Sequence, residues 1–173
     1  MRAAQVCQAV DDYRDYLCGI HISGDKVEST NGHVALQMTM KKKVRGSYIV
    51  KIGGKVPKKA ENSKFEFDAK QSVVKHFDHF GQFISCQPVE LIEGRFPKIT
   101  PLMPERFSYV DGFGFNADYL AMTAKIFGKG ANTSFQFSSC QKKALVTCYD
   151  SPLKDELGDP KFLIMGLKRR QKQ

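Results

Sequence analysis

The sequence predicts an α+β fold in which antiparallel sheets dominate and two short helices pack on them. Three observations carry that expectation. Asn31-Gly32 is a tight-turn pair, because both residues tolerate positive φ, and Val34, Leu36, Met38 and Met40 follow it in alternation with Ala35, Gln37 and Thr39. Further strand-like runs recur at 64–69, 72–77, 82–86, 134–138, 143–149 and 161–167. Helical spacing is confined to two stretches, 2–12 and 116–127.

Composition narrows the function classes. The chain has 173 residues, 42% of them hydrophobic and 26% charged, which suits a globular protein of one large or two small domains. No apolar run reaches the roughly 20 residues of a membrane span, and no charged-then-apolar leader is expected at the N-terminus. Lys154-Asp155-Glu156-Leu157 is internal and cannot act as a C-terminal retention signal. The expected location is cytoplasmic, without membrane contact. Five cysteines, at 7, 18, 86, 140 and 148, lack CxxC spacing and read as small reduced hydrophobes, with no metal expected. A net charge of +9 favours polyanions, and so nucleic acid, over a merely soluble basic surface.

In chain order, Ala3, Val6, Cys7 and Val10 form the apolar stripe of a first helix over 2–12. Residues 19–27 read as strand, a Ser23-Gly24-Asp25 turn, and strand. Lys41-Lys42-Lys43-Val44-Arg45-Gly46 is expected as a basic loop before a strand at 48–52. Two glycines and Pro57 argue against a long helix over 53–63, since an interior proline costs about 3 kcal/mol. His76 and His79 lack a third ligand in the pattern and are expected to be ordinary turn and strand histidines. Four prolines between 88 and 104 impose extended backbone and suit a connector. Asn116 is a helix N-cap, Leu120, Thr123, Ala124 and Phe127 its stripe, and Gly128 its end. Residues 151–160 are expected as an acidic loop.

Four short segments occur in a fixed order: Tyr16-Leu17-Cys18-Gly19-Ile20, Thr30-Asn31-Gly32-His33, Glu93-Gly94-Arg95-Phe96-Pro97 and Phe162-Leu163-Ile164-Met165. In that order they resemble the middle and last domains of the bacterial replicative sliding clamp, the beta subunit of DNA polymerase III. The resemblance implies a DNA-clamp-like fold. It assigns residues 1–104 to a clamp-like domain with its second helix shortened. Residues 105–173 then match the second half of the last domain, followed by a basic tail. The compaction points to a phage or prophage form. Three strand-rich units leave one unpaired, so a homo-oligomer is expected.

The resemblance also implies two surfaces. The first is a hydrophobic groove for the Gln- and Leu/Phe-containing tails of polymerases and clamp loaders. It is carried onto Leu17, Thr30, Gly32, His33, Val34 and Ala35, onto Pro97, Pro101 and Leu102 of the connector, and onto Leu163, Met165, Gly166 and Leu167. Val34 stands where the family has arginine and Gly166 where it has proline. Ile99, Thr100 and Pro101 replace a tyrosine and arginines, so the chemistry of the groove is changed. The rival reading makes these residues simple core. The second surface is basic: Lys41, Lys42, Lys43, Arg45, Lys55, Lys58, Lys59, and Lys168, Arg169 and Arg170 of the tail. With no base-reading motif, DNA binding there is expected to be independent of sequence and sensitive to salt.

The functional expectation is a sliding-clamp-like, non-enzymatic accessory factor of DNA replication or recombination that needs no cofactor. The alternative is a monomeric clamp mimic or adaptor, which captures clamp-binding proteins without encircling DNA. A basic β-rich nucleic-acid-binding module is a third reading. An enzyme is disfavoured because no phosphate loop, metal set or nucleophile constellation appears.

Overall fold

The Asn31-Gly32 turn closes the hairpin on which the remaining strands assemble. Asn31 Oδ1 accepts from the backbone N–H groups of His33 and Val34, both at 3.0 Å, and Gly32 takes φ +88°, open to glycine without strain. The structure, a computed structural model, describes residues 1–68, 70–106, 114–138 and 142–167. Strand β1 spans Ile20–Thr30 and β2 spans Val34–Ile52.

These two strands pair antiparallel along almost their whole length, from Thr30↔Ala35 to Ile20↔Val50. Between Lys26↔Thr39 and Ser23↔Ser47, β1 advances three residues while β2 advances eight. Two sequence expectations are corrected here. Ser23-Gly24-Asp25 is an irregularity inside β1, with Gly24 opposite Val44, and Lys41–Gly46 is part of β2 rather than a loop. The reason is non-local. Lysines reach water from either backbone conformation, so the strand on the opposite side decides.

Strands β3 (Asn62–Glu66), β4 (Ser72–Phe77) and β5 (Phe83–Leu91) follow as an antiparallel meander. Strands β6 (Thr133–Ser138), β7 (Lys143–Cys148) and β8 (Lys161–Met165) form another. The C-terminal end of β2, Val50 to Ile52, pairs with β5, and its N-terminal end, Val34 to Gln37, pairs with β8. All eight strands therefore join one antiparallel sheet, ordered β3-β4-β5-β2-β8-β7-β6, with β1 along the other side of β2.

Three helices complete the described residues, one more than expected. Helix α1 is Arg2–Cys7 and stops there because Gln8 turns extended and Ala9 donates to Leu17 O at 2.9 Å. The expected helix to residue 12 is thus cut short, and Val10, placed on its apolar stripe, is 83% exposed. Helix α2, Ala117–Ile126, begins where expected: Asn116 caps it by accepting from Asp118 N at 2.8 Å. Its inward residues are Ile126 and Phe127, whereas Ala124, assigned to the stripe, is exposed. Helix α3, Ser151–Leu157, replaces the expected acidic loop, with Pro152 in its first turn and Gly158 ending it at φ +72°. No helix among the described residues is long and apolar enough to cross a membrane.

Alternation along the strands divides the buried side chains between two faces. On one face Ile20, Leu36, Val50, Val74, Val146, Phe162 and Ile164 meet Ala4 and Cys7 of α1 and Ile126 and Phe127 at the end of α2. On the other, Ala35, Ile49 and Leu163 are covered by Phe96, Ile99 and Met103 of the connector. Residues on both sides of position 104 share this sheet and this core.

Candidate peptide groove and basic surfaces

The Thr30–His33 turn, the end of β8 and the start of α2 converge on one place. Thr30 Oγ1 donates to Val34 O at 2.6 Å and accepts from Gly32 N at 3.0 Å, which holds the turn closed. Met165 N donates to His33 O at 3.1 Å, and Leu167 N donates to Gly114 O at 2.8 Å, just ahead of α2. The His33 ring stacks on Tyr119 of α2, with centroids 5.9 Å apart and planes 17° from parallel. Met165 and Leu167 remain 38% and 58% exposed beside this stack. Leu102, 39% exposed, approaches from the connector: its carbonyl accepts from Lys143 Nζ at 3.2 Å, and Lys143 is the β7 partner of Met165.

The groove candidates therefore divide. Leu17, Thr30, Val34, Ala35 and Leu163 are buried and act as the support beneath the surface. Gly32, His33, Pro101, Leu102, Met165 and Leu167 are exposed, with Pro97 and Gly166 half-buried. Tyr119 and Arg14 belong to the same surface, although neither stands out in the sequence. A Cβ on Gly32 would lie 3.6 Å from the Arg14 guanidinium, which itself grips Asp12 at 2.8 Å. Hydrogen bonds from Arg14 hold the Asp12 carboxyl down at about 2.

A polar network fastens the connector to the hairpin. Thr100 Oγ1 accepts from Lys26 Nζ at 2.9 Å and from Gln37 Nε2 at 3.0 Å. Gln37 Nε2 also donates to Glu28 Oε1 at 2.6 Å, and His21 Nδ1 meets Glu28 Oε2 at 2.9 Å. His21 Nε2 lies 2.9 Å from Ser47 Oγ, and the ring stacks on Phe96 at 4.8 Å. Burial raises the Glu28 carboxyl, but the bonds from His21 and Gln37 outweigh it and leave Glu28 below the ordinary range.

The basic residues occupy two sites. Lys41, Lys42, Lys43 and Arg45 are exposed on the irregular part of β2. Lys55, Lys58 and Lys59 are exposed on the loop 53–61, which stands where a clamp helix was expected to be shortened or replaced. That loop is tied to α1: Arg2 donates to Lys58 O at 2.8 Å, Gln5 Nε2 to Gly54 O at 2.9 Å, and Val56 N to Gln5 Oε1 at 2.9 Å. It is tied to the sheet as well, since Gln87 Nε2 donates to the carbonyls of Gly53 and Lys55. Gln87 Oε1 accepts in turn from His76 Nε2 at 2.8 Å, and His76 Nδ1 faces Ser63 Oγ at 2.9 Å. His79 points elsewhere, exposed and paired with Glu61 at 3.0 Å. Among the described residues no three His, Cys, Asp or Glu side chains converge to hold a metal. Lys168, Arg169 and Arg170 lie outside the described residues.

No protein-family model matches the sequence, and no curated protein matches it. Solved structures do. The DNA polymerase III subunit beta of Pseudomonas aeruginosa matches 96% of the chain at 15% identity with a TM-score of 0.63. The corresponding subunit of Borrelia burgdorferi, solved in complex with a natural product, matches 98% at 14% identity with a TM-score of 0.64. A Pseudomonas aeruginosa sliding clamp bound to griselimycin matches 97% at 14% identity with a TM-score of 0.58. The fold is that of a sliding clamp. The chain spans 64% of the length of each of these clamps, and at such identities the likeness is one of fold. Within this fold the end of β8 bonds to the β1–β2 turn through Met165 N and His33 O, and Lys143 of β7 bonds to the connector at Leu102 O.

The buried His76 that anchors the basic loop gives a pH prediction. Burial pushes its pKa below the ordinary 6.5. As pH falls through 6.5 the unfolded chain takes up the proton first, so stability is lost by up to about 1.4 kcal/mol per pH unit until the folded value is reached. Thermal midpoints are expected to fall between pH 7 and 5.5, with a flatter profile for His76→Gln. His79, raised by its bond to Glu61, acts in the opposite sense, but as an exposed pair it contributes little. An unchanged slope in His76→Gln would assign the effect elsewhere.

Proposed function

We propose that this protein is a non-enzymatic, sliding-clamp-like accessory factor of DNA replication or recombination. It binds DNA without sequence preference and takes partner peptides in the groove around His33, Tyr119, Met165 and Leu167. The observation that supports the reading is that, in a clamp fold, His33 stacks on Tyr119 and bonds to Met165, with the Met165 and Leu167 side chains exposed beside them. An adaptable methionine, an exposed leucine and a stacked aromatic pair suit Leu or Phe anchors of a short peptide, and Arg14 offers a cation at its edge. Phosphate contacts come from Lys55, Lys58 and Lys59 on the loop beside α1, with Lys41, Lys42, Lys43 and Arg45 as a second set and Lys168, Arg169 and Arg170 as a third.

The adaptor reading is favoured by one observation. The strand group of residues 133–165 completes itself against β2 of the same chain, so it needs no second copy. A homo-oligomer would instead join through the outer strands β3 and β6. Light scattering on a sizing column separates the two: a stable multimer supports an encircling clamp, and a monomer supports the adaptor.

The peptide half is tested by fluorescence anisotropy with a labelled polymerase-tail peptide carrying Gln and Leu/Phe. Met165→Asp buries a charge under the ligand and is expected to weaken binding tenfold or more, about 1.4 kcal/mol, with little change in the thermal midpoint. Unaltered affinity would remove the groove from the reading. The DNA half is tested by salt titration. Changing Lys55, Lys58 and Lys59 together to Gln is expected to reduce the log–log slope by up to about 3.

A further inference from the structure

Tyr48, Phe67 and Phe65 form a row of nearly parallel rings that the groove and the basic loop leave unused. Tyr48 and Phe67 have centroids 4.7 Å apart at 18°, and Phe67 and Phe65 lie 6.0 Å apart at 17°. Tyr48 and Phe65 pack against the core, whereas Phe67, carried between them, is 41% exposed. Packing alone accounts for the two rooted rings but gives no reason for an open ring aligned with both. On the same strand as Tyr48, immediately before it, stand the exposed cations Lys41, Lys42, Lys43 and Arg45. Gly46, at φ +91°, folds back beside the Tyr48 ring, where an added Cβ would lie 3.1 Å from the Tyr48 hydroxyl, so Arg45 adjoins the row and the lysines precede it on the irregular stretch.

Flat rings beside a line of cations fit an unpaired polynucleotide. Every base has a π-face that can extend such a row, while its phosphates need only positive charge. A duplex keeps its bases stacked internally and offers the row nothing. We propose that Tyr48, Phe67 and Phe65, with Lys41, Lys42, Lys43 and Arg45, form a binding site for single-stranded nucleic acid. The bases lengthen the ring row and the phosphates lie along the cationic part of β2. This rests on the nucleic-acid half of the function proposed above and is independent of the peptide groove.

The test uses the full chain and three labelled ligands of equal length: an oligothymidylate, the same backbone without bases, and a duplex. The wild-type protein is expected to prefer the oligothymidylate over the baseless strand by roughly 5- to 150-fold. Phe67→Ala and Phe67→Leu should both erase that preference while leaving duplex and baseless-strand affinity unchanged, and Leu keeps apolar cover should Ala disturb the fold. Changing Lys41, Lys42 and Lys43 together to Gln should weaken all three ligands. Duplex binding with no preference for bases overturns this site and leaves the clamp reading standing, as does a preference that survives both Phe67 variants. Failure to bind any of the three overturns both.

Discussion

Phe162→Ala is expected to destabilise the protein by about 3 to 5 kcal/mol and to do so across the whole chain in one transition. Phe162 is fully buried in β8, paired on one side with Leu36 of β2 and on the other with Val146 of β7. It sits in the same cluster as Cys7 of α1, Val74 of β4 and Ile126 of α2. The cavity left by its ring therefore opens in the cluster that both strand groups share with α1 and α2. Against a typical total of 5 to 15 kcal/mol, such a loss brings a domain close to unfolding at room temperature. The measurement is denaturant unfolding followed by circular dichroism and by tyrosine fluorescence, since the chain has no tryptophan. Coincident curves displaced together are the expected result. Two transitions, only one of them moved by the substitution, would mean that residues 1–104 and 105–173 fold as separate units.

The parts of this fold that were legible in the sequence are those decided locally. Asn31-Gly32 makes its turn with its own side chain, Asn116 caps α2 with its own oxygen, and β4 falls on Ser72–Phe77 as its alternation requires. The illegible parts depend on distant partners. The run Lys41–Gly46 is kept within β2 because Thr39 and Ser47 on either side of it, and Val44 inside it, pair with β1, and the sequence around the lysines carries no trace of that partner. Helix α1 loses its last turn to a bond between Ala9 and Leu17. The same division applies to the site. Short motifs mark Met165 and His33 as candidates, but Tyr119 joins them only because α2 docks beside the turn, and Gln5, His76 and Gln87 anchor the basic loop through contacts across 11 to 51 positions. Motif matching also cannot tell support from surface, so Leu17, Val34 and Leu163 entered the groove set beside Met165 although all three are buried.

Gly158→Ala is the second large effect, and it follows from a contact in a stretch that the sequence reads only as an acidic loop. Gly158 terminates α3 at φ +72°, where any residue with a Cβ is strained by about 1 to 2 kcal/mol. It does more than terminate. Its carbonyl accepts from Thr39 N at 2.6 Å, which fastens α3 to β2 beside the stretch that carries the lysines. A Cβ built on it would fall 2.0 Å from the Thr39 carbonyl oxygen, a backbone atom that cannot swing away as a side chain would. Overpacking of this kind adds roughly 1 to 3 kcal/mol, so the expected loss is about 2 to 5 kcal/mol. Gly128→Ala supplies the comparison: φ there is +103°, yet nothing lies within 4 Å of the added Cβ. The left-handed backbone alone should then set its cost, at about 1 to 2 kcal/mol. Denaturant midpoints of the two variants, read against the same wild-type curve, separate strain from contact. Equal losses would mean that α3 moves away from β2 at no cost, and that the approach of Gly158 to Thr39 does not hold them together.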